Sequence, residues 1–286
     1  MTFKERCIEL RKQDHSLGEI VRITGRPKTS VYTHIHTIPL SNKKWNEIRA
    51  RCGAHIRRFA VARKGKSERS FKKLRRWDEN AIFIVSHILF DGDFNTGGFS
   101  YNNRSVALMY AVERAMKEIY SYEPKRYPNH ITGVQRISYF NVALRAHVKK
   151  MSQLLLREVP GLHKKLQRIF LQAFFDDEGC VDYRPHKNKR SIRGFQKDVT
   201  ILEIVRGVLA NFDIEAKYKE PNEVVIVGKE NLQKFQKEIG FSLGVCINGK
   251  RSNSIWKQSL EKREILKRAI SSYKPIGSNG VHRSAR

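Results

Sequence analysis

The chain opens with three short runs in which apolar residues recur at helical spacing. Phe3, Cys7, Ile8 and Leu10 fall on one face of a helix predicted over Phe3–Gln13. Ser16 stands where an N-cap belongs, with Glu19 three residues on, which predicts a second helix over Leu17–Thr24. Gly25 closes it, Arg26-Pro27 restarts the chain, and Lys28–His36 reads as a third helix that Pro39 stops. A short helix, a glycine turn and a helix with a polar face follow helix-turn-helix grammar. Lys28, Thr29, Ser30 and Tyr32 on that last helix are long or polar enough to reach base edges or phosphates.

Residues 40–76 lose this regularity. They hold fourteen Lys or Arg against two acids, Glu47 and Glu68. Trp45, Ile48, Ile56, Phe59 and Val61 are expected to anchor one helix, and Lys64–Lys73 to be an exposed linker. A cation run this dense, Arg57 and Arg58 included, suits tracking along phosphates.

From residue 78 the pattern repeats loosely. An apolar helical run, Ala81–Phe90, ends in Asp91-Gly92-Asp93, and a second, Leu166–Phe175, ends in Asp176-Asp177-Glu178-Gly179. After each come a strand pair, an amphipathic helix (Ser105–Tyr120, then Thr200–Phe212) and further strand signal (Val134–Tyr139, then Glu223–Val227). Gly228 precedes a last helix, Glu230–Ile239. Each half reads α-β-β-α-β-β-α. The expected division is 1–40 helical, 41–77 basic linker and helix, 78–160 first repeat, 161–270 second repeat, and 271–286 a disordered basic tail.

Composition narrows the partners. Lys and Arg total 56 of 286 residues against 28 Asp and Glu, a net charge of +28, while 40% of residues are hydrophobic. That is a folded protein with a strongly positive surface, suited to polyanions. The longest apolar run, Ile82–Phe90, is far short of the roughly twenty residues a membrane helix needs. A membrane partner is therefore not expected. The charged N-terminus does not resemble a signal peptide. The four cysteines, Cys7, Cys52, Cys180 and Cys246, form neither a metal pair nor a disulfide framework. The expected compartment is intracellular and reducing.

The two helix ends carry a family resemblance. Ile84-Val85-Ser86-His87-Ile88-Leu89-Phe90-Asp91-Gly92 and Leu171-Gln172-Ala173-Phe174-Phe175-Asp176-Asp177-Glu178-Gly179 resemble the motif of the LAGLIDADG homing endonucleases. The likeness covers roughly residues 78–270. Its seventh position, usually small, is Phe90 in one copy and Asp177 in the other. The resemblance implies an α+β fold: a pseudo-symmetric pair of αββαββα repeats forming a DNA-binding saddle, with the all-α helix-turn-helix domain appended. The small third motif residues, Ser86 and Ala173, would let the helices approach closely. Gly92 and Gly179 are expected to leave the helices in the left-handed region. Asp91 and Glu178 would meet at the negative ends of two helices, a conflict that a shared divalent cation removes. Asp93 is an extra carboxylate beside the first acid, ranked below Asp91.

By that resemblance the catalytic residues are Asp91, Glu178, Lys197, Gln196 and Arg104, with Asn103 beside Arg104. The metal site is Asp91, Glu178, Gly92 and Gly179, holding two or three Mg²⁺ ions. Strand residues expected to read the groove are Tyr183, Arg184, Lys187, Lys189, Arg190 and Arg193 in one half. In the other they are Ser100, Tyr101, Asn102, Asn103, Arg104, Gln135 and Arg136. The reading is a monomeric, site-specific double-strand DNA endonuclease that hydrolyses phosphodiester bonds with Mg²⁺. Two alternatives stay open: a catalytically inactive DNA-binding regulator, and a maturase or other binder of structured RNA on the same fold.

Overall fold

The computed structural model describes residues 1–63, 71–128, 133–249 and 256–273. The expected linker residues 64–70 and tail residues 274–286 lie outside these, as do the side chains of Phe59 and Val61. The chain divides into two compact units, Met1–Arg69 and Ser70–Arg286.

The first unit holds α1 (Phe3–Lys12), α2 (Leu17–Thr24), α3 (Lys28–Ile35) and α4 (Asn42–Arg63). Capping boxes start the first two, Thr2 with Glu5 and Ser16 with Glu19, each serine or threonine accepting from the N3 amide. Gly25 ends α2 in the left-handed region at φ +65°. Cys7, Leu10, Ile20, Val31 and Ile35 form the small core. Trp45 and Ile56 were expected to anchor a helix, but they are 46% and 67% exposed. The reason lies in the pattern of α4. About one apolar residue per turn is too narrow a stripe to bury, and cations fill the rest.

In the second unit the two repeats follow one another element for element. The first runs α5 (Glu79–Asp91), β1 (Gly92–Asn95), β2 (Gly98–Asn103), α6 (Val106–Tyr120), β3 (Lys125–Pro128), β4 (Gln135–Tyr139) and α7 (Val142–Glu158). The second runs α8 (Lys164–Glu178), β5 (Gly179–Arg184), β6 (Lys189–Phe195), α9 (Val199–Ala210), β7 (Ala216–Lys219), β8 (Glu223–Val227) and α10 (Lys229–Glu238). The fold is α+β, with two antiparallel sheets in the orders β1-β2-β4-β3 and β5-β6-β8-β7. A further helix, α11 (Lys262–Ser271), follows the second repeat.

The motif helices α5 and α8 pack side by side at the centre of one core. Ser86 and Ala173 are both buried at their third motif positions, with the bulk of Phe90 and Phe174 set against each other at 5.2 Å. Alternation along the strands sorts the sheet faces. Phe99, Tyr101, Ile137 and Tyr139, like Val181, Ile192, Val224 and Ile226, join the core. Their neighbours, among them Asn102, Arg136, Arg184, Lys189, Arg193, Lys217 and Lys219, belong to the outer faces. Among the described residues no helix is long and apolar enough to cross a membrane.

Candidate active site

Each motif helix ends on an acid and passes directly into a strand. Asp91 closes α5 and Glu178 closes α8. The glycines after them are not in the left-handed region. Gly92 sits at φ −82°, ψ 139° and Gly179 at φ −92°, ψ 155°, both extended. The demand for glycine here is steric instead. A Cβ on Gly92 would run into the carbonyl oxygen of Ile88, and one on Gly179 into that of Phe175. With no side chain in the way, the chain turns from helix to strand at once, which holds the acid at the rim.

A buried polar network fixes the first acid. The Asn103 amide donates to Asp91 Oδ2 at 2.9 Å, and lies 3.1 Å from both Asp177 Oδ1 and Tyr101 Oη. Tyr101 donates its hydroxyl to Asp177 Oδ1 at 2.8 Å. His87 Nδ1 lies 2.7 Å from Asp177 Oδ2, with side chains 1% and 0% exposed. An ionised carboxylate only accepts, so Nδ1 carries the proton. Burial opposes charge on this imidazole, yet Asp177 holds its pKa above the ordinary value.

The second acid is held from behind. Lys262, on α11, is buried and donates its ammonium to the carbonyls of Phe175 at 3.1 Å and Asp176 at 2.7 Å. A cation on the last carbonyls of a helix is favourable against the macrodipole. Asp176 is itself buried, its Oδ1 accepting from the Ser242 amide at 3.0 Å while its Oδ2 has no partner. Burial, and then the neighbouring Asp177, push Asp91 up to about 7. Burial, followed by Asp91 and Asp177, pushes Glu178 up to about 7 as well. A cavity of about 540 Å³, lined by Asp91, Asn103, Asp177, Arg193 and Lys262 among others, opens beside these groups.

Residues 165–240 match a family model described as a LAGLIDADG-like domain. The second repeat is thus similar to a LAGLIDADG-like domain. No curated protein matches the chain. Among solved structures it is similar to I-DmoI in complex with DNA and Mn, at 16% identity, covering 58% of this chain and 98% of that one, with TM-score 0.44. It is similar to the N-terminal LAGLIDADG domain of DUF199/WhiA, at 15% identity, 59% and 87% coverage and TM-score 0.44. Full-length DUF199/WhiA from Thermatoga maritima gives 15% identity, 71% and 64% coverage and TM-score 0.45.

In the two repeats, the expected contact residues divide between the two sheet faces. Tyr101, expected to read DNA, is fully buried in the core. Asn103 is turned to the helices and occupied with Asp91, and Gln135 pairs opposite it on the same face. Tyr183 packs against the core and Trp256, the ring centroids 6.1 Å apart. Arg190 bonds Ser272 Oγ at 2.6 Å and stacks on Tyr273 at 4.7 Å. Both pin the segment that carries α11, because strand alternation puts them on the face opposite Arg184, Lys189 and Arg193.

The other expected contact residues lie at the surface, except Ser100, which was expected to read the groove but is fully buried. Arg184 and Lys189 sit on the outer face and flank Asp182 at 2.7 and 2.9 Å. Arg193 bridges Asp182 at 3.4 Å and Glu223. On the other sheet Arg136 lies 3.5 Å from Asp93, while Ser100 and Asn102 share its face. Lys187 is exposed in the turn Pro185–Lys187 at the β5–β6 tip. Arg104 and Lys197 are exposed, and Gln196 is half-buried with its carbonyl accepting from the Lys197 amide at 2.8 Å. Lys28, Thr29, Tyr32, Arg57 and Arg58 of the first unit are exposed, and Ser30 is half-buried.

Sequence reasoning missed His87, Asp177 and Lys262. The first two carried a usable signal, a polar residue at each of two motif positions that pack across the helix pair. Lys262 carried none, lying one cation among 56.

Proposed function

We propose that the chain is a Mg²⁺-dependent endonuclease that cuts double-stranded DNA. The observation that carries this reading is the pair Asp91 and Glu178 at the ends of two packed helices, both pushed up to about 7. Two such carboxylates are unfavourable alone and favourable around a divalent cation. The donor set suits Mg²⁺. It offers hard carboxylate oxygens from Asp91 and Glu178 at the two helix ends. Asp91 and Glu178 would hold the ions, two or three by family resemblance, next to the main chain of Gly92 and Gly179. An ion held there would supply Lewis acidity toward a water and positive charge against the phosphate.

The chain's own residues do the rest. Asn103 fixes the rotamer of Asp91, and Lys262 holds the end of the helix that bears Glu178. Arg104, Gln196 and Lys197 follow the second strand of each repeat and steady the phosphate. Arg184, Lys189, Arg193 and Arg136, with Lys187 at the hairpin tip, contact DNA along the outer faces. Lys28, Thr29, Ser30 and Tyr32 of α3, with Arg57 and Arg58 of α4, add contacts from the helix-turn-helix unit. The chain acts as a monomer inside the cell.

One observation favours a second reading, a regulator that binds DNA without cutting. Asp91 Oδ2 accepts from Asn103, which also bonds Asp177, so that acid is engaged by the protein itself. A cleavage assay on a randomised duplex library separates the two, with Mg²⁺ and then EDTA, for wild type, Asp91→Asn and Glu178→Gln. Cutting that needs Mg²⁺ and falls at least ~10³-fold in both variants supports the nuclease. Tight duplex binding without cutting leaves the regulator. Displacement of duplex by structured RNA leaves the RNA reading.

A further inference from the structure

The crossing of α5 and α8 has two equivalent points, related by the internal repeat. Position 87 corresponds to 174 and position 90 to 177, each pair 87 residues apart as Gly92 is from Gly179. At one crossing Phe90 meets Phe174, ring against ring at 5.2 Å. At the other His87 meets Asp177 at 2.7 Å. The fourth motif residue of each helix faces the seventh of the other.

This inequality discriminates between partners. Were two first repeats to pair with each other, His87 would face Phe90 twice, and two buried imidazoles would lose their acceptor. Were two second repeats to pair, Asp177 would face Phe174 twice. Each Asp177 would then lose His87, Tyr101 and Asn103, which all come from the first repeat. The second repeat has no counterpart for two of them, Phe174 standing at the place of His87. Gly194 stands where the first repeat has Tyr101, and a Cβ there would strike the Phe174 ring. Only the mixed pair gives both His87 and Asp177 their polar partners, and a buried polar group left unpaired is costly.

We propose that His87 and Asp177 are a pairing code, by which each motif helix selects the other repeat of its own chain and rejects the like repeat of a second copy. The inference is independent of any reaction on DNA. It is tested by unfolding the full chain in denaturant, refolding at high protein concentration and high salt, and measuring mass by light scattering. Wild type returns to monomer. The double variant His87→Phe/Asp177→Phe makes every pairing equally acceptable, so its oligomer fraction rises at least tenfold. The reversed variant His87→Asp/Asp177→His keeps the code, since the Tyr101 hydroxyl lies 3.5 Å from His87 Nδ1 and can serve either residue, and it returns to monomer. A double phenylalanine variant that refolds as cleanly to monomer as wild type overturns the proposal, as does a wild type that refolds to mixed oligomers. Should the phenylalanine variant not fold, the single His87→Asp change decides. The code requires it to be lost to aggregate and recovered as monomer by adding Asp177→His, and failure of that rescue overturns the proposal.

Discussion

The two repeats share a fold and differ in how they hold their acids. Asp91 is fixed from the front, by an amide whose own position depends on Asp177 of the other repeat. Glu178 is fixed from behind, through carbonyls capped by a lysine outside the repeat. One repeat solves the problem with a side-chain network, the other with a helix cap. Pseudo-symmetry of the backbone thus leaves room for two distinct electrostatic designs, and the two acids should answer differently to mutation.

The largest difference is expected at the helix crossing. Asp177→Asn keeps the shape of the side chain but removes the charge that His87 and Tyr101 bond. It should cost about 3 kcal/mol, which in a unit of this size lowers Tm by roughly 10 °C. Phe90→Leu at the equivalent crossing alters volume only and should cost about 1 kcal/mol. Thermal melts of both variants check this. Equal losses would break the contrast between a polar and an apolar crossing.

Next in size is the response to pH. Asp91 and Glu178 are raised from carboxylate values to about 7 in the folded chain, so folding favours their protonated forms. The stability this lends is full below the unfolded carboxylate values and is lost as pH rises through about 7. The raised His87 acts in the same direction, whereas the lowered Lys262 acts oppositely as pH nears the ordinary lysine value. Without metal the chain should lose about 2 kcal/mol between pH 5.5 and 8. Millimolar Mg²⁺ should restore most of it at pH 8 and little at pH 5.5. Melts across that range, with and without Mg²⁺, would sink the paired-acid account if the curves stayed parallel.

Much of this was legible in the residues. Periodicity placed the helices, Ser16 with Glu19 marked a helix start, and the two acid–glycine steps 87 residues apart located the site. Three features were not legible. Gly92 and Gly179 are needed for clearance and not for handedness, a distinction that depends on where a preceding carbonyl points. Tyr183 and Arg190 look like surface readers until register assigns them to the covered face. Lys262 reaches the site from a helix beyond the repeat, and no local pattern connects it to Phe175.

A smaller effect should separate Asn103 from Gln196, which hold equivalent places at the end of the second strand of each repeat. Asn103→Ala frees Asp91 and leaves Asp177 with one donor fewer. A loss of about 1–2 kcal/mol follows. The Gln196 side-chain carbonyl accepts from the Lys197 amide in an exposed hydrogen bond, so Gln196→Ala should lie within about 0.5 kcal/mol of wild type. Denaturant midpoints of the two variants measure this, and a match between them would mean that both acids are held alike.

The smallest effects are expected on the outer faces, where they test which side of the second sheet meets a polyanion. Arg184→Ala and Lys189→Ala remove cations from the outer face, though each is partly neutralised by Asp182. If that face lies on duplex DNA, each change should weaken binding several-fold and reduce the salt dependence of log K by about one. Arg190, one residue from Lys189, points the other way and is engaged by Ser272 and Tyr273. Arg190→Ala should therefore leave the salt slope unchanged and loosen the segment carrying α11, which limited proteolysis would detect. A salt slope that fell equally for Arg190→Ala would mean that DNA approaches the covered face, and that α11 must leave it for binding to occur.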